Sequence, residues 1–317
     1  LRDLTVELLD AATKADPLFI RFLAYSQLSG KPPQEASPEG LFIPGDSRPH
    51  TFAELFPKET GFIAKRFGKI AESRAGWTQT PGAETFKEYI RELSAYYASR
   101  DPQEAAGHRA RSGELYRDLI VRGFPIVVTS MTEGYYKEPY LDPEMRISVV
   151  TPDAMAEEAA FRRAQSAMAN HLDILGKAEF SEKLRSEPLR SCVTFGAFGV
   201  NLSFNTPAQE NPAIVLFLDE QMRRYDHKFP SYLEYIEGGE EQFRAMPEKE
   251  RRNFLEHTSR MIVMLHEFGH LIHRDGSPEA ERLGRRPLTT IDEVKAEAVN
   301  RPLVPAMLED SGLEGTK

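Results

Sequence analysis

Two histidines four residues apart, with a glutamate directly after the first, stand at His266-Glu267-Phe268-Gly269-His270. On a helix, residues four apart lie one above the other on the same face, so two imidazole nitrogens can reach one ion. Zinc takes nitrogen ligands at about 2.0–2.1 Å in a tetrahedron, and a catalytic zinc keeps one corner for water. Glu267, one residue on, stands beside the metal, where it can accept a proton from the attacking water. The surrounding MIVMLHEFGHLIH (261–273) is apolar at Ile262, Val263, Leu265, Leu271 and Ile272, as a largely buried helix requires. Composition alone yields an HExxH in roughly one such sequence in fifty, so the apolar helical setting adds weight to the motif. The competing reading is a pair of hydrogen-bonded core histidines.

A catalytic zinc needs a third protein ligand. No third histidine follows in the register HExxHxxGxxH, which leaves carboxylates. The segment TTIDEVKAEAVNRPLVPAM (289–307) supplies Asp292, Glu293 and Glu297, and helical spacing puts Glu293 and Glu297 on one face. Glu293 is assigned as the third ligand. Glu297 and Asp292 are placed behind the ligands, where a carboxylate orients a ligand histidine. Two alternatives stay open: Thr290-x-x-Glu293 is also a capping-box pattern, and Glu297 can itself be the ligand. The expected cofactor is one Zn2+ per chain.

These segments resemble known zinc peptidases. HEFGHLIH (266–273) is similar to the thimet-oligopeptidase group, which carries HEFGH followed by an apolar residue and a histidine. IDEVKAEAV (291–299) more closely resembles the dipeptidyl peptidase III family, with its pattern E-E-x-R-A-E. That resemblance implies that Glu293 binds zinc and that Glu297 stands behind the ligands, with Lys295 where the family has Arg. Asn201-Leu202-Ser203-Phe204-Asn205 resembles the family's substrate strand N-L-P-N, with one residue extra and no proline; it implies substrate binding by Asn201 and Asn205. Two departures stand out. The family motif is HExxGH, one residue longer than the form here. The family also places a transition-state histidine and basic substrate-binding residues well beyond the second zinc helix, where this chain has 20 residues after Glu297. The likeness covers 195–205 and 262–300, about a sixth of the chain.

Other candidates are weaker. Residues 197–205 can hold a substrate main chain by strand pairing. Tyr225, His227, Tyr232 and Tyr235 are possible oxyanion donors, each also readable as structural. His273 reads as a helix-end histidine, His257 as a surface one, and Met261 and Met264 as core filler. Cys192 reads as a buried structural thiol. Trp77 either packs in the core or lines a cleft.

The elements that must position these groups read as α+β. The chain is expected to be mostly helical with a small mixed or antiparallel sheet, and the zinc-binding helix pair lies next to the substrate cleft. Leu4, Leu8, Leu9 and Ala12 share a helical face, Asp16-Pro17 breaks the pattern, and a second apolar helix follows. Five prolines between 30 and 50 mark a long connection, and 51–123 is mostly helical. FPIVVTSM (124–131), MRISVVT (145–151), 191–205 and AIVLFLD (213–219) read as strands. Helix is expected from 154 to 175 and again beyond about 230. The division is 1–123, a mainly helical region, and 124–317, the sheet with the zinc-binding catalytic region.

Composition excludes several classes. The 317 residues carry 40 Lys plus Arg against 49 Asp plus Glu, a net charge of −9, which opposes a nucleic-acid partner. No apolar run reaches the roughly 18 residues of a membrane span. One cysteine excludes an internal disulfide framework and fits a cytoplasmic setting; Leu1 in first place keeps a secreted or periplasmic one open. The expected partner is a peptide or small-molecule substrate. The expected function is a zinc-dependent metallopeptidase with Glu267 as general base. The alternatives are a zinc-stabilised binding protein without turnover and a non-peptide hydrolase on the same scaffold.

Overall fold

A computed structural model describes residues 1–28, 46, 48–134, 141–199, 213–217, 239–251, 265, 266, 268 and 269. The chain divides into two compact units. One holds Leu1–Val150 with Thr194–Ala213, the other Thr151–Val193 with Ile214–Lys317.

The described residues of the first unit hold the α-helices α1 (Arg2–Ala12), α2 (Ala15–Leu28), α3 (Phe52–Leu55), α4 (Pro57–Ala71), α5 (Ala83–Ala98) and α6 (Pro102–Arg122). Their boundaries follow local chemistry. Thr51 and Glu54 form a reciprocal capping box at α3, satisfying two backbone donors that a helix start leaves open. Asp101 accepts from the amides of Gln103 and Glu104, Pro102 opens α6, and Gly123 closes it at φ +76°. Only glycine takes that left-handed conformation without strain. The expected break at Asp16-Pro17 lies instead at Thr13-Lys14, and Pro17 sits in the first turn of α2. Amides of the first turn have no carbonyl partner within the helix, so proline's missing N–H costs nothing there.

Strands β1 (Ile126–Gly134) and β2 (Leu141–Val149) pair antiparallel, with Ile126 opposite Val149 and Gly134 opposite Leu141. Both begin or end a few residues from their expected bounds. Phe124 is claimed by the core, 1 % exposed and stacked on Phe86 at 4.4 Å. Thr151 is claimed as the cap of the next helix. Trp77 packs edge-on against Phe86 and Phe124 and is buried. Packing is therefore its role, and the cleft reading falls away.

In the second unit, α7 (Pro152–Ile174) is capped by the Thr151 hydroxyl accepting from the Ala154 amide. It packs on α8 (Ala178–Ser186), a helix where the sequence reading places no element. Gln165 of α7 donates to the carbonyls of Leu184 and Glu187, closing the end of α8. Strand β3 (Leu189–Gly199) starts in this unit and runs parallel to β4 (Ile214–Phe217), with Leu189 opposite Ile214 and Cys192 opposite Phe217. The strand order β1-β2-β3-β4 combines an antiparallel and a parallel pair, so the sheet is mixed and the fold is α+β. A short helix, α9 (Gly239–Ala245), follows. Among the described residues no helix is long and apolar enough to cross a membrane.

Tyrosines tie the helices of the first unit to β1. Tyr89 donates to the Val128 carbonyl at 2.6 Å, and the hydroxyls of Tyr97 and Ser130 meet at 2.8 Å. Burial pushes the Tyr89 and Tyr97 phenols above their ordinary value of 10.0; the Ser130 contact opposes this at Tyr97 and is outweighed. A phenol whose folded pKa is raised contributes stability that is complete below the unfolded pKa and is lost as pH rises through the folded value. Each such group then costs about 1.4 kcal/mol per pH unit above roughly pH 10. Urea midpoints at pH 9 and pH 11 should fall further in the wild type than in Tyr97→Phe. Equal falls would remove Tyr97 from the alkaline transition.

Candidate active site

The described part of the nominated site is the helical turn around His266. Leu265, His266, Phe268 and Gly269 are helical. Leu265 is 5 % exposed and Phe268 is 0 % exposed. Residues three and four apart share a helix face, so Leu265, Phe268 and Gly269 form the buried side of the turn. His266 stands one residue round from Leu265 and is half-buried. Its Nδ1 atom is shielded from solvent. One edge of the ring therefore faces protein while the residue as a whole keeps access to solvent. A histidine that binds a metal turns one ring nitrogen to the ion and the other to the protein.

The remaining nominated residues lie outside the described ones. These are Glu267 and His270 of the motif; Glu293, Glu297 and Asp292 of the downstream segment; and Asn201 and Asn205 of the substrate segment. So do the oxyanion candidates Tyr225, His227, Tyr232 and Tyr235, together with His257, His273, Met261 and Met264. Among the described residues no group of three His, Cys, Asp or Glu side chains could hold a metal ion. Cys192 is buried as expected, with its Sγ 3.8 Å from the Leu216 carbonyl on β4.

Two polar clusters went unnominated. In the first unit, His50 is 5 % exposed and its Nε2 lies 2.9 Å from Asp46, with Glu54 at 3.6 Å from Nδ1. Arg48 bridges the same two carboxylates, at 3.6 and 3.0 Å. Hydrogen bonds from the Arg48 guanidinium and the Thr51 amide hold the Glu54 carboxyl below the usual range despite burial, and the Arg48 amide does the same for Asp46. In the second unit, Glu158 gathers Arg162 and Arg190. Glu158-x-x-x-Arg162 was legible as a helical ion pair. Arg190, on a strand 32 residues from Glu158, was not.

No protein-family model matches the chain, and no curated protein matches it. A solved structure of DPP III from Caldithrix abyssi is similar. It superposes with a TM-score of 0.63 at 13 % identity, over 99 % of this chain and 72 % of that one. The fold is distantly DPP III-like. At so low an identity the likeness concerns the fold alone. As far as the fold goes, it agrees with the resemblance read at 195–205 and 262–300.

Proposed function

We propose that the protein is a zinc-dependent hydrolase of the metallopeptidase class. The observation that carries this is His266, the first histidine of an HExxH sequence, set on a helix whose neighbours Leu265 and Phe268 are buried, in a chain of DPP III-like fold. The residues fit the metal. Two imidazoles and a carboxylate are a catalytic zinc donor set, and the Nδ1 of His266 lies on the protein side of a half-buried ring. In this reading His266, His270 and Glu293 hold the ion. Zinc bound there supplies a Lewis acid that polarises the scissile carbonyl and makes water a stronger acid.

The chain's own residues do the rest. Glu267 takes the proton of the attacking water and returns it to the leaving amine. Glu297 and Asp292 orient a ligand histidine by hydrogen bonding. Asn201 and Asn205 hold the main chain of a peptide substrate.

Purified protein should contain about one zinc per chain. A chelator should abolish cleavage of an internally quenched peptide library, and added zinc should restore it. Undiminished turnover after chelation would end this reading. Stoichiometric zinc with no cleavage of peptides would favour the non-catalytic, zinc-stabilised alternative.

A further inference from the structure

Five elements of the first unit close on one small cavity. Phe19 of α2, Phe52 of α3, Tyr97 of α5, Arg109 and Ser112 of α6, and Ser130 of β1 line it. Its volume is about 10 Å³, roughly what a single water needs and too little for an organic ligand. Phe19, Phe52, Tyr97 and Ser112 are all buried. What such a space takes up is decided by the hydrogen-bonding needs of its polar walls, because a buried donor or acceptor left unmade is costly.

Those needs can be counted. The hydroxyls of Tyr97 and Ser130 meet at 2.8 Å, and either can be the donor. Two hydroxyls carry two protons, and one contact uses one of them. Neither hydroxyl makes a second hydrogen bond among the described residues. Whichever of the two donates, one proton of the pair still needs an acceptor. Ser112 has the opposite need. Its hydroxyl donates to the Arg109 carbonyl at 2.8 Å, so its proton is committed and its oxygen offers lone pairs alone. A partner at Ser112 has to donate. An occupant that answers both walls must therefore accept at one and donate at the other, within the volume of one small molecule. A halide ion drawn by the Arg109 guanidinium can only accept. Water does both.

We infer that this cavity is a binding site for one ordered water, which accepts the spare hydroxyl proton of the Tyr97–Ser130 pair and donates to Ser112 Oγ. The water ties α6 to the place where α5 meets β1. A buried water with such partners is part of the structure and costly to remove. The inference is independent of the zinc site.

Two measurements on the full chain test it. A high-resolution crystal map should show one peak within about 3.2 Å of Ser112 Oγ and of a hydroxyl of the Tyr97–Ser130 pair. A bromide soak should place no anomalous signal there. In solution, deuteron magnetic relaxation dispersion counts long-lived internal waters. Ser112→Ala removes the acceptor and should lower that count by one. Ser166→Ala is the control: its hydroxyl also donates to a carbonyl of its own helix, that of Arg162 at 2.9 Å, but it is exposed, and the count should not change. A map without density between these hydroxyls, a peak that bromide replaces, or an unchanged count in Ser112→Ala would each overturn the inference. If Ser112→Ala does not fold, the wild-type map decides by itself.

Discussion

Replacing Glu267 with Gln should lower kcat by about 10²–10⁴-fold, the usual share of a general acid–base group, while zinc stays at about one per chain. Gln matches Glu in size and can still hydrogen-bond a water, but it cannot take the proton. The loss therefore falls on the chemical step and leaves metal binding and KM near the wild-type values. The acid limb of the pH–rate profile, which reports ionisation of the base, should vanish with it. His266→Ala should instead remove zinc and activity together, because the ion loses a ligand. A Glu267→Gln protein with wild-type kcat would refute the role of the residue. A His266→Ala protein that keeps stoichiometric zinc would refute the metal site itself.

Phe86→Ala should destabilise the first unit by about 3–5 kcal/mol, the range for emptying a buried aromatic site. Phe86 is 0 % exposed, stacks on Phe124 at 4.4 Å and meets Trp77 edge-on at 5.8 Å. Truncation leaves a void between two large rings that the helix backbone cannot close. Trp77 is the sole tryptophan of the chain, so its emission follows this cluster. The urea midpoint read from that emission should drop, and the native emission should shift to the red as water reaches the indole. A midpoint within about 1 kcal/mol of the wild type, the spread of an ordinary substitution, would show that the stack contributes little.

Much of this was legible in the chain, for a local reason. Helix α7 was expected at 154–175 and runs Pro152–Ile174; its start signals, the Thr151 cap and Pro152 in the first turn, are neighbours in the chain, although Thr151 itself read as the end of a strand. The HExxH spacing is equally local, and the described part of that segment is helical with Leu265 and Phe268 inside. The strand ends were less legible. Phe124 carries the apolar pattern of a strand, yet it is taken by a ring stack with residues far away in sequence. Pro17 looked like a stop and is tolerated in a first turn, since what decides is where the helix begins.

The sequence by itself determined which residue types stand at helical spacing, the histidine pair with its glutamate and the acidic pair downstream, and which short β-branched runs read as strands. Tertiary structure alone decided that β3 and β4 run parallel, that Trp77 is a core residue, and that Arg190 meets Glu158 across 32 positions of chain. The physical reason is range. Periodicity and capping are written between residues three or four apart, whereas a strand's partner and a buried charge's counter-ion are chosen by whichever distant segment can exclude water beside them.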